Sequence, residues 1–210
     1  MASKILVDEL APQSHATDVT ITTGKKIAGA NTQYKVTGGA SGQVLTNDGS
    51  DGLSWSAAGS TVKRACLVDQ KTAGTDGGTF TSGSWQQRDL QTAYYDDITI
   101  TFGTNTFILP AGTFYIDWSC PAFAVENHQT RLYNITSAGV VQAGSAAQCK
   151  LSTAWAATRS EGSTKITVGT STTFKIEHRC SSTFATEGLG RKCNFGEPEV
   201  YTIVNIMQIA

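Results

Sequence analysis

Residues 105–118 read NTFILPAGTFYIDW. Apolar side chains alternate on both sides of a Pro-Ala-Gly corner: Phe107 and Leu109 before it, and Phe114, Ile116 and Trp118 after it. Alternation with a period of two is typical of a β-strand that buries one face, so the stretch predicts two strands joined at the corner. The opposite face carries Ile108 and Tyr115 beside Asp117. A face that meets only water does not need an isoleucine and a tyrosine.

The last strand shows the same property. Residues 198–210 read PEVYTIVNIMQIA, with Val200, Val204 and Ile206 on one face and Tyr201, Ile203, Met207 and Ile209 on the other. A strand that is apolar on both faces is covered on both sides. The sequence contains no convincing amphipathic helix to supply the second cover, so another subunit is the simplest one.

The rest of the chain after Val62 predicts further short strands, separated by turns at near-regular intervals. The segments are VKRACLVDQ, WQQRDLQT, DITITF, TRLYNIT, GVVQAG and STKITVGTSTTFKIEHRC. About eight to ten such strands are typical of an antiparallel sandwich or jelly roll. We predict an all-β jelly-roll sandwich, with long polar connections at 145–162 and 181–198.

The first 60 residues differ in composition from the remainder and predict an extended β or irregular segment. They hold few large apolar side chains, and GQVLTNDGSDGLSW (residues 42–55) reads as a small β-hairpin around turn residues. The segment AAGST (57–61) is a plausible linker. We therefore predict two parts, residues 1–60 and residues 62–210.

Composition excludes several classes of function. The chain of 210 residues has 16 Lys and Arg against 17 Asp and Glu, without the basic stripe of a nucleic-acid-binding protein. No apolar run approaches the length that spans a membrane, and no secretory signal is expected in MASKILVDELAP. The five cysteines are expected to be free thiols, with a Cys180–Cys193 bridge as the alternative.

Candidate reactive groups form no recognisable constellation. His178 and Cys180 are two residues apart on one strand face, but no second pair at zinc spacing accompanies them. The acid pairs, Asp96 with Asp97 and Glu197 with Glu199, are interpreted as solvated strand entries rather than glycosidase carboxylates. The sequence predicts no enzyme, no metal site and no cofactor.

Several segments together resemble a known family. LPAGTFYIDW, HQTRLYNIT, FKIEHRC and the C-terminal EVYTIVNIMQI, in this order, resemble the trimeric jelly roll of the tumour necrosis factor and complement globular-head type. They are most similar to the version at the tips of bacteriophage fibres, and WQQRDLQT resembles its opening. GQVLTNDGSDGLSWS is similar to a linker of phage tail-fibre proteins, and MASKILVDEL resembles the N-terminus of fibre-like proteins from marine phages.

The resemblance implies a homotrimer and a place in the virion. It places Phe114, Ile116 and Trp118 in the sandwich core, and it directs Tyr115, Tyr201, Ile203 and Met207 towards neighbouring subunits. Asp117 points the same way, so it needs a basic partner or a place at the rim. The resemblance also implies that residues 1–60 dock to other virion proteins through Ile5, Leu6, Val7 and Leu10.

The function that follows is a non-enzymatic phage structural protein, assembled in the host cytoplasm. Its expected role is that of a tail fibre or appendage subunit that attaches to a host-surface glycan or protein. A capsid-surface decoration (head fibre) protein and a secreted ligand of the same fold are the alternatives.

Overall fold

The computed structural model describes residues 40–47, 53–57, 62–151 and 154–209. The chain divides into two units, Met1–Ala58 and Gly59–Ala210, and this boundary falls inside the predicted linker. In the first unit, β1 (Gln43–Asn47) pairs antiparallel with β2 (Leu53–Ala57). The predicted hairpin at 42–55 is thus confirmed.

The second unit is an antiparallel jelly-roll sandwich, as the sequence predicted. Its strands are β3 (Lys63–Lys71), β4 (Gln86–Gln87), β5 (Thr92–Asp96), β6 (Thr101–Gly103), β7 (Thr106–Leu109), β8 (Gly112–Phe123), β9 (Asn127–Asn134), β10 (Gly139–Gln148), β11 (Lys150–Leu151), β12 (Ala154–Trp155), β13 (Ala157–Val168), β14 (Thr172–Cys180) and β15 (Glu199–Gln208). One sheet has the order β13-β8-β15-β3-β5, and the other has the order β10-β9-β14-β7-β6 with β4 beside β14. Strands β11 and β12 pair separately.

The Pro-Ala-Gly corner carries the chain from one sheet to the other. Strand β7 ends at Leu109 in the six-stranded sheet, and β8 starts at Gly112 in the five-stranded sheet. The side chains that alternate on both strands are buried, as predicted: Phe107, Leu109, Phe114, Ile116 and Trp118. They form one core cluster with apolar residues of β3, β9, β14 and β15, because both sheets direct one face inwards.

Trp118 links the two sheets. Its indole Nε1 donates a hydrogen bond of 2.8 Å to Thr130 on β9, which satisfies the polar end of an otherwise apolar ring. On the same sheet, Gly162 of β13 lies opposite Trp118. A Cβ atom at Gly162 would overlap Trp118 Cζ2, so this ring requires glycine beside it.

The predicted strand DITITF is only partly a strand. Regular pairing begins at Thr101, because the Asp96 carboxylate accepts hydrogen bonds from the backbone N–H groups of Ile98, Thr99 and Ile100, at 2.6–3.1 Å. Thr99 has a φ of 67°, in the left-handed region. These bonds fold the segment into a turn that still buries both isoleucines, so their alternation looked like a strand.

Two other segments differ from their predictions. In WQQRDLQT only Gln86–Gln87 and the final Thr92 are strand residues, and the buried Arg88 between them donates side-chain hydrogen bonds to Thr202 Oγ1 and the Leu189 carbonyl, both at 2.9 Å. The segment 145–162 is not a long loop, since most of it belongs to β10 and β13. Between β14 and β15, residues 181–198 do form a long connection, attached by the bridge between Phe80 and Phe184.

Candidate functional site: the outward face of the five-stranded sheet

The candidate site is the side of the five-stranded sheet that points away from the core, called here the outward face. Side chains alternate along a strand, so residues between the buried positions of β8 and β15 lie on this face. Strand pairing aligns them across the sheet. Met207 lies opposite both Tyr115 and Arg64, and Tyr115 lies opposite Lys165.

The outward face leaves apolar and aromatic groups open. Tyr115 is 40% exposed and Tyr95 of β5 is 48% exposed, while Ile203 and Met207 are partly exposed. Depressions of about 420 and 200 Å³ lie side by side here and share Asp117 as a lining residue. Tyrosine and methionine at a surface of this shape are typical of protein interfaces.

Charge on the outward face is mixed. Arg64 and Lys165 lie at the two ends of the row that contains Met207 and Tyr115, and the Lys165 ammonium is 5.9 Å from the Tyr115 ring centroid. Glu161 accepts a 3.0 Å hydrogen bond from Ser119 on the neighbouring strand. Interfaces that combine aromatic groups with both signs of charge favour one orientation of the partner.

Asp117 lies on the outward face, as the resemblance implied. Its neighbours across the strands are Asn205 and Ser163, and its side chain is exposed. Within the described part of the chain, no lysine or arginine forms an ion pair with it. A basic group from another molecule can therefore reach this carboxylate.

The implied role of Tyr201 is corrected by the structure. Its side chain is only 3% exposed, and its hydroxyl donates a 2.6 Å hydrogen bond to the Thr75 carbonyl. A Cβ atom at Gly190 would overlap the Tyr201 ring, so the loop after β14 also covers this side chain. A register shift in β15 between Val200 and Ile203 interrupts the alternation and separates Tyr201 from the residues beyond it. Burial raises the pKa of this phenol.

Tyr95 and Arg64 are among the residues of the outward face that the sequence did not indicate. Tyr95 and Arg64 line the smaller depression together with Tyr115 and Met207. The pair Tyr94-Tyr95 breaks a strict alternation, because β5 contains a bulge opposite Cys66 and Leu67. The available signal was two adjacent tyrosines in one short strand, since a regular strand directs neighbouring side chains to opposite faces.

His178 pairs with a second histidine, His128. His178 Nε2 lies 2.9 Å from His128 Nδ1, and His128 Nε2 lies 2.8 Å from Thr158 Oγ1. Burial lowers the pKa of His128 to about 4 and that of His178 in the same direction, with nearby Arg88 as the second cause. Both imidazoles are therefore neutral at physiological pH, and they pack in the protein interior.

The acid pairs are solvated only in part: Asp97 and Glu197 are exposed, Asp96 is half-buried and Glu199 is buried. Glu199 accepts backbone hydrogen bonds from Cys193, Asn194 and Gly74, at 3.0, 2.7 and 3.2 Å. These bonds hold the pKa of the Glu199 carboxyl below its usual value. Glu199 and Asp96 both fix loops through backbone N–H groups.

All five cysteines are unpaired. Cys66, Cys120, Cys149 and Cys180 are buried and Cys193 is exposed, so Cys180 and Cys193 do not form the alternative bridge. Burial raises the pKa of the buried thiols, that of Cys180 to about 11. These four side chains act as small apolar groups.

Three further expectations concern metal sites, membrane-spanning helices and the N-terminal anchor residues. No group of three or more His, Cys, Asp or Glu in the described segments is arranged to hold a metal ion. In those same segments no helix has the length and apolar character needed to cross a membrane. The predicted anchor residues Ile5, Leu6, Val7 and Leu10 lie outside the described residues, as does His15.

The class of fold is thus an antiparallel jelly roll with an open aromatic and apolar face on one sheet. The globular domain of zebrafish complement 1qA protein is similar in backbone, with a TM-score of 0.46 and 14% identity over 71% of this chain and 98% of that one. Murine APRIL is similar with a TM-score of 0.46 and 6% identity over 71% of this chain and 100% of that one. No family model and no curated protein matches the sequence.

Proposed function

We propose that this chain is a non-enzymatic virion structural protein, a trimeric phage tail fibre or appendage subunit that attaches to the host surface. The outward face carries the proposal, because it leaves Tyr95, Tyr115, Ile203 and Met207 open in the single protomer. Exposed apolar groups clustered on one sheet are typical of an association surface. The fibre-like segments of the sequence, including GQVLTNDGSDGLSWS, support the virion context.

Assembly occurs through the outward face in this proposal. Tyr115, Ile203 and Met207 contact a neighbouring protomer, and Asp117 accepts a basic group such as Arg64 or Lys165 from it. The six-stranded sheet then remains free on the outside of the trimer. Residues 1–60 attach the assembly to other virion proteins through Ile5, Leu6, Val7 and Leu10.

The absence of catalysis is part of the same proposal. The histidines of the described region are buried and neutral, and Cys180 remains a thiol because burial raises its pKa. A nucleophile needs an activated, accessible group. The carboxylates of Asp96 and Glu199 accept hydrogen bonds from backbone N–H groups. These observations support a binding role.

The oligomeric state tests the proposed interface. Light scattering of the purified chain is expected to give the mass of a trimer. Met207→Asp places a carboxylate in a packed interface, which costs about 3–5 kcal/mol if it stays unpaired, so this variant is expected to dissociate. Val140→Asp is the matched control, because Val140 is 52% exposed on the other sheet. A wild-type monomer, or a Met207→Asp trimer as stable as the control, would contradict the interface.

Adsorption tests the role. Purified trimer is expected to bind host cells and to compete with infection. A trimer that joins virions but does not bind cells would favour the capsid-decoration alternative. Binding to a receptor on animal cells, without incorporation into virions, would favour the secreted ligand.

A further inference from the structure

A second surface, on the opposite sheet, has the properties of a ligand pocket. An open cavity of about 450 Å³ lies at one end of β9, β10 and β14, next to the segment that precedes β4. Its lining consists of Trp85, Asn127, His128, Gln129, Ala146, Ala147, Gln148, Arg179, Cys180 and Ser181. This volume is in the range of small-molecule sites.

One wall of the pocket is the Trp85 ring, which is held in place by a residue outside the pocket lining. The Arg131 guanidinium lies 4.0 Å from the Trp85 ring centroid, and Arg131 donates a 2.6 Å hydrogen bond to Glu177. Lys175 is 2.7 Å from the other oxygen of the same carboxylate. Arg131 is outside the pocket lining, so it fixes the indole without filling the cavity. The negative face of such a ring attracts the weakly positive C–H groups of a sugar.

The rim of the pocket offers unused hydrogen-bonding groups. Among the described residues, the side chains of Asn127, Gln148 and Arg179 have no protein partner, and all three are exposed. Gln129 is held in place by a 2.8 Å hydrogen bond from its Nε2 to the Gly144 carbonyl. Primary amides present a donor and an acceptor side by side, which suits neighbouring hydroxyl groups.

Charge in the pocket narrows the ligand class. Arg179 is the one charged side chain in the lining, and no carboxylate accompanies it there. A guanidinium binds a carboxylate through two parallel hydrogen bonds. Both ring nitrogens of His128 are hydrogen-bonded, one to His178 and one to Thr158, so His128 contributes a neutral wall to the pocket.

We propose that this pocket binds an acidic saccharide unit, with the sugar ring against Trp85, its hydroxyl groups on Asn127 and Gln148, and its carboxylate on Arg179. The inference rests on the proposed role in host attachment and specifies which sheet contacts the host. In that arrangement the outward face holds the trimer together and the pocket remains accessible.

The experiment titrates the full-length chain with methyl glucuronide and with methyl glucoside, which lacks the carboxylate. Binding is followed by saturation-transfer NMR. The wild type is expected to bind the glucuronide at least about tenfold more tightly, as a charge-assisted pair predicts. Trp85→Ala is expected to abolish binding, whereas Trp155→Ala, which removes a 62% exposed tryptophan outside the pocket, keeps it. Arg179→Gln is expected to remove the preference for the glucuronide.

A second variant tests the pocket independently in case Trp85→Ala does not fold. Ala146 is exposed in the lining, so Ala146→Tyr narrows the cavity without changing the core, and it is also expected to prevent binding. The proposal is overturned if neither sugar binds, if Ala146→Tyr binds as the wild type does, or if Arg179→Gln leaves the preference unchanged. Failure of the pocket and failure of the attachment role can be told apart. A trimeric Ala146→Tyr variant that still competes with infection contradicts the proposed pocket and leaves the attachment role intact. A wild type that binds the glucuronide but fails to adsorb to cells contradicts the attachment role and leaves the pocket intact.

Discussion

Mild acid is expected to destabilise this protein through its buried histidine pair. Both rings are neutral in the folded state, because burial and nearby Arg88 lower their pKa values. The unfolded chain exposes them, and each then takes up a proton near pH 6.5. The unfolded state therefore binds more protons below that pH, and the free energy of unfolding falls as the pH is lowered.

The magnitude follows from His128. A pKa lowered from 6.5 to about 4 corresponds to about 3 kcal/mol lost between those two values, with no further loss from this group below the lower one. His178 has the same direction of shift and adds to the loss. The groups around the two rings do not stabilise a protonated imidazole. They are the Phe80 ring at 4.6 Å from His178, the hydroxyl of Thr158 and the cationic Arg88.

Urea unfolding at fixed protein concentration measures this effect. The free energies of unfolding of the wild type and of the double variant His128→Gln with His178→Gln are compared from about pH 7 to about pH 4. Over this range the protonation of the two histidines changes the stability of the wild type. Carboxylates contribute equally to both proteins, so the difference between the two slopes isolates the histidines. A double variant that loses as much stability with acid as the wild type would refute this reasoning.

Four further changes have defined outcomes. Gly162→Ala is expected to lower the free energy of unfolding by about 1–3 kcal/mol, because its Cβ clashes with Trp118; urea unfolding measures the loss. Asp96→Ala is expected to cost about 1–3 kcal/mol in the same assay, since it leaves backbone N–H groups of the turn without partners. A reducing agent is expected to change the melting temperature by less than about 5 °C, because no disulfide is present. A fragment that starts at Ser60 is expected to fold, trimerise and compete with infection, but not to join virions.

Neighbouring positions supply the controls. Ser163→Ala and Asp97→Ala are expected to be nearly neutral in urea unfolding, and equal losses at control and target would show that Trp118 or the turn bonds are not responsible. A larger drop in melting temperature under reduction would indicate a disulfide. A fragment that joins virions normally would place the virion anchor in the jelly roll.

Alternation predicted the strands wherever backbone pairing and side-chain burial agree. Strands β7 and β8 and the part of β15 from Ile203 onwards follow it, and Phe114 and Val204 are buried as expected. It failed at Ile98 and Ile100, which are buried with the same spacing while Asp96 folds their backbone into a turn. A carboxylate that binds backbone N–H groups leaves no trace in a hydrophobic pattern.

The candidate site was only partly predictable for a related reason. Tyr115, Ile203 and Met207 lie on the outward face because they continue the alternation. Tyr201 lies within the register shift of β15 and is covered by loops that are distant in sequence. The pocket beside Trp85 depends on the meeting of β9, β10 and β14 with another segment, so no local pattern indicates it.

The exposure of Cys193 makes the protein suitable for labelling without mutagenesis. Its four fellow cysteines are buried, and their raised pKa values disfavour the thiolate that reacts with maleimides. The Cys193 backbone N–H is bonded to Glu199, so the loop that carries the thiol is fixed to the start of β15. A gold cluster or a fluorophore attached there would mark one defined point per protomer. Electron micrographs of labelled particles could then be read directly for where the jelly roll lies.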